Sequence, residues 1–174
     1  MVSKSLATES EFAIARIFEA PRERVFAAFT EPARMAKWWA PPGCTLATAT
    51  MDLRPGGSYH YGLHSPDGGT MWGKAVYREI VRPHLLVYVN AFSDAAGGLT
   101  RHPLQPRWPL ELLTTITFTE HVDGTIFDLR WSPLPTSTPD ECQCFDESHE
   151  SMQMGWGVTL DALAAYLAKG DPAS

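Results

Sequence analysis

The sequence predicts an α+β domain in which one curved antiparallel sheet holds a long C-terminal helix, with two short helices after the first strand. Three observations predict it. Fourteen prolines and 13 glycines punctuate the 174 residues without low complexity, so the chain is cut into many short strands and turns. Between those turns, apolar and polar residues alternate with the period of two that marks a half-buried strand. Near the C-terminus, Phe145, Met152, Trp156, Leu160, Leu163 and Leu167 recur at helical spacing and form one apolar stripe. A chain of this length with 44% hydrophobic residues fits one domain over residues 1–174, with its core at about 12–168.

Taken in order, Phe12 to Phe18 is branched and apolar and reads as the first strand, ended by Ala20-Pro21. Arg22 to Phe29 reads as a short helix burying Val25, Phe26 and Phe29. Thr30-Glu31-Pro32 restarts the chain as an N-cap-like Thr with Pro in the first turn, and a second short helix runs to Trp39. Strands follow at Thr45 to Leu53, Ser58 to His64, Thr70 to Ile80 and Leu85 to Phe92, with Pro55-Gly56-Gly57 and Pro66-Asp67-Gly68-Gly69 as turns. Ser93 to Pro109 carries three prolines and a Gly-Gly pair and reads as a long loop, the kind that often serves function. Glu111 to Thr119 and Thr125 to Trp131 make a hairpin around Asp123-Gly124. Its Thr115, Thr117 and Thr119 face water while Ile116 and Phe118 face inward. The final helix spans about Asp140 to Lys169, stopped by Gly170-Asp171-Pro172. Gly155 and Gly157 interrupt it at a cost of about 1 kcal/mol each relative to alanine, which predicts a packing or bending reason for them.

Composition narrows the function classes. Twenty acidic against 14 basic residues give a net charge of −6, and no Lys/Arg-rich run occurs, which opposes nucleic-acid binding by counterion release. No apolar stretch reaches the roughly 20 residues that span a bilayer. The opening Met1-Val2-Ser3-Lys4-Ser5 lacks the apolar run of a secretory signal, so the expected compartment is the cytoplasm. Three cysteines do not make a disulfide framework. Asp140, Glu141, Asp146, Glu147, Glu150 and Asp161 fall in an interval without any Lys or Arg. They read as a solvated helix start favoured by the macrodipole, with an acidic docking or metal-attracting patch as the alternative.

Several short motifs, in this order, carry a resemblance: Phe18-Glu19-Ala20-Pro21 with Val25-Phe26; Trp38-Trp39-Ala40-Pro41; Asp52-Leu53-Arg54-Pro55-Gly56-Gly57; Pro66-Asp67-Gly68 with Gly73; Ile116-Thr117-Phe118 before Gly124-Thr125; and Gly155-Trp156 with Leu160-Asp161-Ala162-Leu163. Over roughly residues 12–168 the chain resembles the START-like (SRPBCC, Bet v-like) helix-grip superfamily, in the branch named after the activator of Hsp-90 ATPase. The resemblance implies a long C-terminal helix held in an antiparallel sheet with a cavity between them. Superfamily members are mostly carriers or sensors of apolar ligands, with some cyclases, hydrolases and co-chaperone modules. The branch has no catalytic motif that transfers by position, and fold analogy alone does not assign chemistry. Because the chain carries no separate N-terminal chaperone-binding domain, chaperone contact is not its expected role.

Lys74 and Arg78 place Met71, Gly73, Ala75 and Tyr77 on the inner face of their strand, where small residues opposite the terminal helix leave space unfilled. The residues expected to line it are Trp38, Trp39, Met71, Tyr77, Tyr88, Phe118, Trp131, Met152 and Trp156, with Trp72 a further lining candidate; the same pattern also describes a filled core. Of the adjacent Trp38 and Trp39, one packs inward and the other covers the cavity mouth or an interface. Tyr59, Tyr61 and Leu63 claim the inner face of their strand, which turns His60 and His64 outward and away from acid/base or metal duty. Cys142, Cys144 and His149 have zinc-compatible chemistry, but a lone C-x-C lacks the repeated spacing of structural zinc sites, and Cys44 reads as a small apolar residue; no metal or cofactor is assigned. No nucleophile elbow, metalloprotease, phosphate-loop or dinucleotide fingerprint occurs, so no catalytic residue is named. The leading expectation is a binding protein for a small apolar or aromatic ligand. The alternatives are an enzyme acting on such a ligand, with a titratable group in the cavity, and a chaperone-associated or homodimeric module using an exposed Trp108 or the acidic helix start.

Overall fold

The computed structural model describes residues 10–170. Strand β1 (Phe12–Phe18) is followed by helices α1 (Arg22–Thr30) and α2 (Pro32–Met35). Then come β2 (Thr45–Met51), β3 (Ser58–His64), β4 (Thr70–Val81), β5 (Leu85–Ser93), β6 (Leu99–Thr100), β7 (Leu112–His121) and β8 (Gly124–Pro133). Two helices close the chain, α3 (Pro139–Glu147) and α4 (His149–Ala168). The strands form one antiparallel sheet in the order β1-β8-β7-β5-β4-β3-β2, with β6 added beside β5. The helices cover one face, so the fold is the expected curled sheet around a long C-terminal helix.

Alternation within the strands decides which side chains meet the helices. In β7 and β8, Ile116, Phe118, Phe127 and Leu129 are buried while Thr117 and Asp128 between them are not. Helix α1 lays Phe26 and Phe29 on that surface. Phe26 meets Phe118 at 5.4 Å between ring centroids, and Phe29 stacks on Phe127 at 5.3 Å. Leu160, Leu163 and Leu167 of α4 complete this filled end of the core. Burying each such side chain contributes about 1.5–3 kcal/mol.

Four local expectations are corrected. The second short helix stops at Met35, because the chain tightens there into three-residue bonds from Lys37 N–H to Arg34 O and from Trp38 N–H to Met35 O. Thr30 ends α1 instead of capping α2: it is buried and its hydroxyl donates back to Phe26 O at 2.9 Å. The long loop contains β6, held to β5 by the pairs Phe92–Thr100 and Ser93–Leu99. The terminal helical pattern is two helices. At Ser148 the backbone leaves helical geometry (φ −98°, ψ 5°), and its hydroxyl donates to Cys144 O at 2.8 Å.

The break therefore lies seven residues before the first helix glycine. Gly155 and Gly157 sit inside unbroken α4, and a Cβ built on either meets no atom within 4 Å. No close packing requires them. Gly157→Ala is accordingly expected to raise stability by about 1 kcal/mol in chemical denaturation, and a loss of stability would show that α4 needs a glycine there. Helix α4 ends at Ala168 with Lys169 as its C-cap, and Gly170 follows with a positive φ of 77° that suits the left-handed position after the cap; Asp171 and Pro172 of the expected stop lie outside the described residues.

Candidate functional site

The sheet has a second, unfilled end. Cross-strand pairing aligns Tyr59 with Ala75 and Asn90, Tyr61 with Gly73 and Phe92, and Tyr77 with Tyr88, so these residues share the helix-facing side of β3, β4 and β5. Gly73 and Ala75 project almost nothing from the middle of that surface. The Tyr61 ring occupies the space above Gly73: a Cβ there would lie 2.4 Å from the Tyr61 Cζ and Oη. Between this wall, α4 and the segment after α2 lies a pocket of about 1060 Å³, open on one side.

Eight of the nine residues expected to line such a space border it: Trp38, Trp39, Met71, Tyr77, Tyr88, Trp131, Met152 and Trp156. Trp38 turns inward, 3% exposed, with its indole N–H donating to Ala28 O at 3.1 Å. Trp39 turns the other way and sets its edge against Tyr61 and Trp156 at 6.2 and 6.0 Å. Met71 sits at the rim, 43% exposed. Phe118 is the exception. It is 1% exposed among Phe26, Phe29 and Phe127 in the filled end of the core and does not border the pocket. Alternation assigns it to the inner face but does not say which end of that face α1 fills.

A roof comes from the loop between β6 and β7. Arg101 pairs with Glu141, while Arg107 pairs with Asp140 at 3.0 Å and Glu147 at 3.7 Å, tying the loop to α3. Glu141 also closes a capping box with Thr138 at the start of α3. These carboxylates thus serve a helix start and a loop strap. The strap brings His102, Gln105 and Trp108 to the pocket. Trp108 is half-buried against Phe145 and His102, so the expectation of an exposed Trp108 is corrected.

The other candidates lie elsewhere. His60 stacks on Trp72 at 5.1 Å on the opposite face of the sheet, and exposed His64 meets Thr70 Oγ1 at 3.0 Å. Cys144 is buried, Cys142 is half-buried and His149 lies between the rings of Phe12 and Phe145. Among the described residues no group of three or more His, Cys, Asp or Glu side chains is arranged to hold a metal ion. Also among them, no helix is long and apolar enough to cross a membrane.

The pocket's electrostatics are simple. No Asp, Glu or Arg borders it, and Lys37, exposed, is its only charged neighbour among the described residues. Burial pushes the Tyr61 phenol up to about 12 and holds Tyr59, Tyr77 and Tyr88 above the ordinary tyrosine value, so all four are neutral hydroxyls at physiological pH. Alternation places Tyr59 and Tyr61 inward, and Asn90 and His102, which the apolar pattern does not mark, border the pocket as well. Extending the β5 alternation from Tyr88 would have found Asn90; nothing in the sequence points to His102.

Desolvation holds the His102 imidazole below its usual value of 6.5. Its Nδ1 accepts the backbone N–H groups of Leu104 and Gln105 at 3.0 and 3.1 Å, which leaves the ring proton on Nε2. A depressed folded-state value means that the unfolded chain takes up the proton first. The neutral ring's contribution is therefore present above about pH 6.5 and lost as pH falls through the lower folded-state value. Thermal unfolding between pH 7.5 and 5.5 is expected to show a steeper decline for the wild type than for His102→Gln; identical slopes would contradict this.

A curled antiparallel sheet closed over a long C-terminal helix, with an aromatic pocket between them, defines a protein of the helix-grip class. The chain belongs to the family described as Activator of Hsp90 ATPase homolog 1-like protein, whose model matches residues 19–168. Its fold is similar to that of solved bacterial proteins. One from Arthrobacter aurescens is 23% identical with a TM-score of 0.73, covering 95% of this chain and 89% of its own. One from Rhodobacter sphaeroides is 21% identical at 0.72, covering 92% and 93%; one from Nitrosomonas europaea is 21% identical at 0.71, covering 92% and 96%. No protein of curated function matches the chain. At these identities the likeness shows the fold.

Proposed function

We propose that this protein binds a small apolar or aromatic ligand in the pocket between the sheet and α4, acting in the cytoplasm. The observation that carries the reading is a space of about 1060 Å³ walled by tryptophan, tyrosine and methionine side chains. A packed core leaves few voids larger than a water molecule, so a space of this size beside a tightly filled one is a feature of the design of the sheet. Burying about 300 Å² of ligand apolar surface at about 25 cal/mol per Å² contributes about 7.5 kcal/mol before the costs of association.

Turnover by acid–base chemistry has less support. No carboxylate borders the pocket, its tyrosines are neutral, and the acceptor nitrogen of His102 is already bonded to the backbone. A docking role through Trp108 loses its anchor because that side chain turns in against Phe145.

The test is titration with the uncharged dye N-phenyl-1-naphthylamine, read by dye fluorescence and by thermal shift. Saturable binding with a rise in Tm supports the proposal; a hundredfold excess over Kd corresponds to about 2.7 kcal/mol of stabilisation. Absence of saturable binding to this dye and to a panel of uncharged aromatics would overturn it.

A further inference from the structure

We infer that the pocket selects an uncharged aromatic ligand bearing carbonyl-type acceptors, because Asn90, His102 and Gln105 on its sheet and loop walls are hydrogen-bond donors whose acceptor ends are already occupied. The inference rests on the pocket being a ligand site and specifies what that site recognises.

The donors come from separate elements. Asn90 on β5 accepts the Thr114 hydroxyl on its Oδ1 at 2.6 Å, which leaves the amide NH₂ for another partner. Gln105 in the loop repeats the arrangement: its Oε1 accepts the Arg107 backbone N–H at 3.1 Å. His102 has Nδ1 bonded to two backbone amides, so only Nε2–H remains. On the α4 side, Ser148 and Thr159 donate their hydroxyl protons to Cys144 O and Gly155 O, so those two oxygens present acceptors, while the neutral tyrosine hydroxyls of the sheet wall serve either way.

Charge decides the rest. A cationic ligand would find no carboxylate to pair with. An anionic ligand would leave water for a site whose single cation, Lys37, is exposed, and an unpaired buried charge is strongly disfavoured. A neutral carbonyl is an acceptor without that penalty, and a site built to donate rejects an analogue that cannot accept.

The test uses one tricyclic skeleton in three forms: 9-fluorenone, fluorene and fluorene-9-carboxylate, each titrated calorimetrically into the wild-type protein at pH 7.5. The expected order is fluorenone about tenfold tighter than fluorene, equivalent to about 1.4 kcal/mol, with the carboxylate weakest. Asn90→Leu is expected to weaken fluorenone relative to fluorene, narrowing or abolishing the tenfold difference between them. Asn90→Asp, which retains an acceptor for Thr114 but removes the NH₂, is expected to weaken fluorenone further. Fluorene equal to or tighter than fluorenone, or the carboxylate tightest, overturns the inference while leaving apolar binding intact. Failure of all three to bind, together with failure of the uncharged dye, overturns both. If the Asn90 variants do not fold, the order of the three ligands on the wild type still decides.

Discussion

Phe118→Ala is expected to lower the unfolding free energy by about 3–5 kcal/mol in chemical denaturation. Phe118 is 1% exposed, and its ring is held edge-on by Phe26, Phe29 and Phe127 at 5.4, 5.9 and 5.9 Å. These rings come from two separate elements, Phe26 and Phe29 from α1 and Phe127 from β8, and Phe29 and Phe127 also stack on each other, so none can move into the vacated volume without leaving its own partners. The variant keeps both the lost transfer energy and the residual cavity as penalties. For a domain of ordinary stability this is a large fraction of the total. Phe118 does not border the pocket, which touches this cluster through Phe29, so the folded fraction should bind the uncharged dye with an affinity close to that of the wild type. A destabilisation below about 1 kcal/mol, or a loss of dye affinity in the folded fraction, would contradict the separation of the molecule into a filled core and an unfilled end.

Gly73→Val should do the reverse, reducing ligand affinity at least tenfold with little loss of stability. The new Cβ falls on the Tyr61 Cζ and Oη at 2.4 Å and on its Cε2 at 2.9 Å, closer than any van der Waals contact. Tyr61 must therefore swing away. It stacks on Tyr59 at 5.0 Å and meets the edge of Trp39 at 6.2 Å, so its displacement disturbs both the sheet wall and the segment after α2 that bounds the pocket. The valine methyls occupy part of the remaining volume. Valine also favours a strand where glycine weakens one, which offsets the strain within β4. Wild-type dye affinity in this variant would show that the space above Gly73 is not part of the binding site.

These two residues mark how far the sequence is legible. Period-two alternation sets which residues of β3, β4, β7 and β8 face the helices, and it places both Gly73 and Phe118 inward. It does not distinguish an inner position covered by α1 from one that is not, because that depends on where α1 docks across the sheet. The same limit explains the terminal helices. Ser148, His149 and Glu150 are all acceptable within a helix, and the break comes from the local geometry at Ser148, whose hydroxyl bonds Cys144 O. Asn90, Gln105 and His102 escape a reading that looks for an apolar stripe, since their contribution is polar and two of them arrive on a loop tied down by Arg101 and Arg107. By contrast, His60 and His64 turn outward as alternation required, because Tyr59, Tyr61 and Leu63 claim the inner face.

The central claim is that the unfilled end of the sheet is a ligand site. Native mass spectrometry of freshly purified wild-type protein beside Gly73→Val tests it most directly. The account predicts a retained small molecule, or saturable uptake of the uncharged dye at one site, in the wild type, and loss of that mass in the variant. A wild-type protein that carries and takes up nothing, or a variant that retains the same mass equally well, would contradict it.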